Sequence, residues 1–439
     1  MSARSGAVLA FALLAAAAHA DDAARIEALE RRVAELEARL AQKEAPAGSA
    51  SAPLVAPRGE LPITLSAAAR VGWFDGGDAS DAYENGWSVR DARFFLDAEL
   101  AEDLRAGSRP LVRNAGFSFE WNLVRRGKLF NDVGDLYVDL QGVGGSSWLN
   151  VRPGRFQIPI GELYSRYGRA LGSDPFISKP LGGPWWWDEG VMLYGASESE
   201  RFGYAASLTN GETPLSLDEG SGKQATLKLW LRPRDWLRIS ASALRSGEIG
   251  SGGGALWLGE TWATGVGSMG SVPTLIDGAP AAASTAPFDS TWLAGGDVVL
   301  TPSDQIRLWI SGGRYALDSR DAAIYDRALH YWIAELVLRG ALLRPELAPA
   351  FVGLRADGIG TDDAGRGYLL SREYADTLGY NMRRFSAYTV VVGWQLGGLT
   401  ALRAEYSLRD IDLVRGASPA LEEAARDADS FALELGVQF

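Results

Sequence analysis

Phe431-Ala432-Leu433-Glu434-Leu435-Gly436-Val437-Gln438-Phe439 closes the chain and divides its side chains between two faces. Phe431, Leu433, Leu435, Val437 and Phe439 share one face, and Ala432, Glu434, Gly436 and Gln438 share the other. A period of two is strand geometry, because successive side chains leave opposite sides of the pleat. A greasy face backed by a polar one is what a strand carries when it stands between lipid and water. An edge strand of a soluble sheet shows the same split, so this segment alone leaves both readings open.

Working back along the chain, the pattern recurs. Phe117, Phe119, Trp121 and Leu123 alternate with Ser118, Glu120 and Asn122. Leu227, Leu229 and Leu231 oppose Lys228 and Arg232, although Trp230 shares the charged side. Leu402, Ala404, Tyr406 and Leu408 oppose Arg403, Glu405 and Arg409. Such segments place strands near residues 65–75, 87–100, 112–124, 134–142, 148–158, 189–195, 202–209 and 224–232. A second set lies near 236–244, 291–301, 305–315, 328–339, 348–357, 386–397, 400–409 and 429–439. The connections decide between the readings, because they alternate between brief turns, such as 233–235 and 301–304, and long loops, such as 159–188 and 245–290. Short turns at one end and long loops at the other are the signature of a transmembrane barrel, whereas sandwiches and propellers have no reason to sort their loops. The expected fold is therefore all-β, a 16-stranded antiparallel transmembrane barrel over residues 63–439.

Composition agrees with that reading. The chain holds 52 Gly, 15 Trp and 14 Tyr, suited to bent strands and interfacial aromatic belts, and Trp87, Trp148, Trp236 and Trp292 fall at strand ends. The absence of cysteine excludes disulfides, cysteine metal sites and thiol catalysis. A net charge of -12 argues against nucleic acid as a partner.

The N-terminal residues read differently. Arg4, the apolar run from Ala7 to Ala18 and the triplet Ala18-His19-Ala20 predict a signal peptide over residues 1–20. Ile26, Leu29, Val33, Leu36 and Leu40 then form an a/d seam, predicting a short α-helical coiled coil over 21–43 in the periplasm. The Pro-, Ala- and Ser-rich stretch 44–62 reads as a linker. The coiled coil fits either a trimerisation device or a tether toward the cell wall.

The chain resembles the phosphate-selective porin (porin O and P) family. The matching stretches are Ser88-Val-Arg-Asp-Ala-Arg-Phe-Phe-Leu96, Gly134-Asp-Leu-Tyr-Val-Asp139, Thr209-Asn-Gly211 and above all Val151-Arg-Pro-Gly-Arg-Phe-Gln-Ile-Pro-Ile-Gly-Glu162. The resemblance implies a homotrimer in outer-membrane lipid and a pore narrowed by inward loops and lined with basic residues; separately, the terminal Phe439 resembles the signal by which the assembly machinery recognises outer-membrane barrels. Members that prefer phosphate carry an arginine ladder and a lysine cluster; this chain has only Lys43, Lys128, Lys179, Lys223 and Lys228.

A barrel of this width leaves an aqueous channel, so selectivity must come from what lines it. The loop 159–188 is the expected constriction. From Arg113 to Lys179, nine basic residues face six acidic ones. Arg152, Arg155, Arg166 and Arg169, with Arg125, Arg126 and Lys179, are the expected anion-binding set, since a guanidinium fork suits phosphate and carboxylate. Pairing with lumen acids such as Glu120, Asp139 and Glu162 is the competing role. Trp185, Trp186 and Trp187 are expected to anchor the loop, with sugar stacking or a trimer contact as alternatives. Catalysis finds little footing: once the signal leaves, His330 is the sole histidine, and no Gly-x-Ser-x-Gly elbow or metal-ligand cluster accompanies it. The expectation is an outer-membrane porin, without cofactor or metal, for passive diffusion of small hydrophilic solutes, anions such as phosphate foremost. A general or sugar-selective pore is the alternative.

Overall fold

The computed structural model describes residues 62–76, 86–125, 128–163, 175–182, 187–211, 223–247, 257–258, 261–262, 274–276, 279–281, 290–318, 327–361, 377–378, 381–426 and 428–438. The segments read as signal peptide, coiled coil and linker lie outside the described residues except for Pro62, as does Phe439.

Sixteen strands close into one antiparallel barrel in simple sequence order. The first half comprises β1 (Ile63–Asp75), β2 (Gly86–Ala106), β3 (Arg109–Arg125), β4 (Lys128–Gln141), β5 (Asn150–Gln157), β6 (Trp187–Ala196), β7 (Phe202–Thr209) and β8 (Gln224–Arg234). The second comprises β9 (Leu237–Ser246), β10 (Ser290–Ser303), β11 (Ile306–Asp318), β12 (Arg327–Arg339), β13 (Ala350–Gly360), β14 (Met382–Gly397), β15 (Thr400–Leu413) and β16 (Ser430–Gln438). The ring shuts where β1 meets β16, with Val71 opposite Leu435 and Gly72 opposite Glu434. Closure leaves no unpaired edge to template aggregation. Two small ladders, 257–262 and 274–281, sit in the long connection between β9 and β10.

Every strand expected from alternation is present. The largest extension is the hairpin of β2 and β3, which runs on to Ala106 and Arg109 before turning at the short-connection end. Alternation sets the two faces. On β8, Leu227, Leu229 and Leu231 are exposed on the outer wall while Gln224, Thr226 and Lys228 are buried within. Trp87 and Trp292 flank the outer band at the long-loop end, Trp148 and Trp236 at the short-turn end, all exposed.

The inner face departs from simple alternation over β9–β15. There Leu244, Leu293, Tyr315, Tyr331, Ile359 and Phe385 point inward and pack with Ile158, Ile160, Leu163 and Leu181 from the connection between β5 and β6. The short helix α1 (Pro419–Arg426), between β15 and β16, adds Ala425 to this cluster. Burying a large apolar side chain is worth about 1.5–3 kcal/mol, so the cluster fixes the β5–β6 connection inside the barrel and not outside it. Close approach is built in: a Cβ on Gly182 or Gly313 would come within 2.4 or 2.5 Å of the Tyr331 side chain.

The wall is thinnest between β4 and β5, where only Leu136, Tyr137 and Leu140 find ladder partners. Gly154 crosses that seam with φ +128, and a Cβ there would lie 2.4 Å from the Leu136 carbonyl oxygen. Only glycine fits both constraints.

Candidate functional site

The described parts of the β5–β6 connection form two legs, each held to the inner wall. The first leg, Ile158 to Leu163, is bound to β8 and β9. Lys228 Nζ donates to the Gly161 carbonyl at 2.5 Å and lies 2.8 Å from Glu162 Oε1, while Gly161 N–H donates to Ser242 Oγ at 3.0 Å. Arg238 Nε approaches the same Glu162 oxygen at 3.4 Å.

The second leg, Pro175 to Gly182, is bound across the lumen to β1, β13 and β15. Glu405 accepts from the backbone N–H of Ile177 at 2.7 Å and of Ser178 at 3.0 Å. The Leu181 N–H donates to Asp357. Arg355 donates to Ser178 O at 2.9 Å and Arg70 to Ile177 O at 3.3 Å. Each bond between a charged group and the backbone contributes roughly 1.5–3 kcal/mol. In a sixteen-strand ring, β8 and β9 stand opposite β15, β16 and β1. The two described legs, which meet in one apolar cluster, therefore span the lumen between them.

Most lumen charge is spent on pairing. Arg93 forks onto Asp91 at 2.9 and 2.8 Å and reaches Glu120 at 3.2 Å. Arg403 meets Glu434 at 2.7 Å, Arg355 meets Asp357 at 3.2 Å, and Arg307 meets Glu335 at 3.3 Å. Among the described residues, eleven carboxylates are buried against six cations. Of the described basic residues in 113–179, Arg152 and Arg155 pair with acids on neighbouring strands.

Arg152 lies on the inner face, forked onto Asp139 at 3.2 and 3.1 Å, with Tyr194 OH donating to both Asp139 oxygens at 2.8 Å. Its guanidinium stacks over Tyr137 at 4.2 Å. Arg155 is on the opposite face of β5, in register with Leu136 and Glu189. It is 3% exposed, donates to the Val133 carbonyl at 2.8 Å and pairs with Glu189 at 2.7 Å, bracing the thin seam. Lys179 sits on the second leg, where its carbonyl accepts from Arg355 at 3.4 Å. Trp187 begins β6 in the apolar cluster and donates from Nε1 to Asp135 at 3.1 Å. Arg125 ends β3, its side chain outside the description; Arg126, Arg166, Arg169, Trp185 and Trp186 lie outside the described residues.

Under the first leg, at the short-turn end, a chamber of about 900 Å³ stays open. Arg113, Arg152, Gln157, Lys228, Trp230 and Arg238 contribute to its lining, and a further pocket of about 420 Å³ shares Trp230 and Arg238 with it. Sequence reasoning passed over Trp230 and Arg238, although Trp230 stood on the charged face of an otherwise regular strand.

Comparison with solved structures agrees on architecture. The outer membrane channel DcaP of Acinetobacter baumannii matches with a TM-score of 0.53 at 11% identity, over 88% of this chain and 99% of that one. OmpT, an outer membrane protein of Vibrio cholerae in its trimer form, gives 0.52 at 10% identity, over 86% and 99%. OprB of Pseudomonas putida gives 0.51 at 13% identity, over 86% and 94%. The likeness is one of fold. No family model and no curated protein matches the sequence, so the comparisons carry the resemblance as far as the barrel and not to the phosphate-selective family.

Proposed function

We propose that the chain forms an outer-membrane channel for passive diffusion of small hydrophilic solutes, with anions preferred. The carrying observation is a closed wall, greasy outside and charged inside, with the two described legs of a connection spanning its lumen above an open chamber. In water, the exposed band of Leu65, Trp87, Leu208, Val392 and Leu396 would drive association; in lipid it is satisfied. The short turns then face the periplasm, where the N-terminal coiled coil and linker would also lie. OmpT is described in a trimer form, which supports a homotrimer here.

The anion preference rests on Arg113 and Arg238, whose terminal nitrogens reach the chamber with few partners. Arg152 and Lys228 add field but are held by Asp139 and Glu162. A phosphate-specific site has weaker support, because phosphate is gripped by several free donors converging on one point. A general pore is the second reading, favoured by the paired state of the lumen arginines.

Single-channel recording in a planar bilayer under a salt gradient tests this. Discrete conductance steps with a reversal potential of anionic sign are expected. Absence of steps would refute the channel, and cationic sign would refute the preference.

A further inference from the structure

Arg238 and Trp230 form a platform on the inner wall, where one side of the Trp230 ring is backed by Gly203 of β7. The Arg238 guanidinium lies over the Trp230 ring at 4.9 Å, and its side chain is 38% exposed. Only Nε faces a carboxylate, that of Glu162, so the two terminal nitrogens are without partners among the described residues. Trp230 holds the guanidinium by a cation–π contact, and the terminal nitrogens of a guanidinium form an edge with two parallel N–H donors. That edge matches a carboxylate, which accepts two such bonds at once.

The rest of the chamber is not built for a bare ion. Ile158, Ile160 and Met192 line it alongside Tyr194, and Ile158, Ile160 and Met192 are themselves buried. Of the other cations in the lining, Arg152 spends two nitrogens on Asp139, and Arg113 belongs to β3, six strands from β9 around the ring, with one nitrogen on the Gly145 carbonyl at 3.4 Å. Two guanidiniums so far apart do not close on one tetrahedral anion. The Gln157 side chain, buried and without a hydrogen-bond partner at either polar atom, adds a neutral donor and acceptor to the lining. Glu198 and Glu200, on the turn between β6 and β7, line its rim.

We propose that this chamber binds flat, unsaturated organic monocarboxylates, the carboxylate on the Arg238 terminal nitrogens and the ring beside Trp230, along the neighbouring apolar wall. The inference rests on the channel reading and names the solute class of its periplasmic chamber.

The test uses the full chain with benzoate as probe and acetate and inorganic phosphate as comparators, each added to the short-turn side while chloride current is recorded. Benzoate is expected to block at lower concentration than either comparator. Arg238→Gln should weaken that block by about tenfold, the scale of a charged hydrogen bond. Trp230→Leu keeps the charge and should weaken benzoate by about threefold while leaving acetate unchanged, the scale of a ring contact. Benzoate no better than acetate, or insensitive to both substitutions, would overturn the site. Calorimetric binding of benzoate to the detergent-solubilised barrel separates the two proposals: binding without current refutes the channel and keeps the site, and current without binding does the reverse.

Discussion

Glu162 is the residue on which the chamber's charge turns. It stands between Lys228 at 2.8 Å and Arg238 at 3.4 Å, and cancels much of the field that either would cast. Replacing it with Gln keeps the shape and removes the charge. One unit charge at about 4 Å is worth about 1 kcal/mol even in bulk water, so Glu162→Gln should raise the anion-to-cation permeability ratio about fivefold. A reversal potential that stays put would show that Glu162 does not face the conduction path. The pairing of Arg152 with Asp139 was open to sequence reasoning, because both sit on inner faces of neighbouring strands in the segments quoted for the resemblance. The Glu162 cluster was not: its cations arrive from β8 and β9, and nothing local says which wall a long connection will touch. Arg155 shows the converse limit. A residue three positions from Arg152 lies on the other face of a strand, and that parity is enough to turn it from the lumen toward the β4–β5 seam.

At the scale of elements, β12 holds the signal that alternation missed. Its inner Leu329, Tyr331 and Ile333 and its outer Trp332 and Ala334 make both faces apolar, the pattern of a strand covered on two sides. Taken at face value, that pattern says the lumen is filled beside β12, as the apolar cluster shows. The seam between β4 and β5 is the weak element, and Gly154 permits it. Gly154→Ala places a Cβ against the Leu136 carbonyl in a backbone region that other residues adopt at a cost of about 1–3 kcal/mol. Unfolding of the variant in detergent, read by the mobility shift on heating in SDS, should occur at lower temperature; an unchanged shift would mean the seam yields without cost.

Over the whole molecule, loop lengths marked the two ends at most junctions but not all: residues 126–127, between β3 and β4, lie at the long-loop end, and residues 340–349, between β12 and β13, at the short-turn end. The outer band makes a depth-dependent prediction. Leu229 lies mid-strand on β8 and Phe202 opens β7 at the short-turn end, both on the outer face. Leu229→Arg should cost about 2–4 kcal/mol of folding free energy in lipid and Phe202→Arg about 0–1. Equal costs, measured by equilibrium refolding into vesicles, would contradict a membrane midplane at Leu229. The span across the lumen has one more consequence. A ring of hydrogen-bonded strands resists stretching but flattens easily, because flattening only bends it. Fastened to β8 and β9 at one side and to β1, β13 and β15 at the other, and packed together in one apolar cluster, the two described legs act as a tie-rod across any such oval. Lateral pressure from a crowded membrane would then have to break carboxylate-to-backbone bonds before it could change the cross-section, and the bore keeps its shape for mechanical reasons.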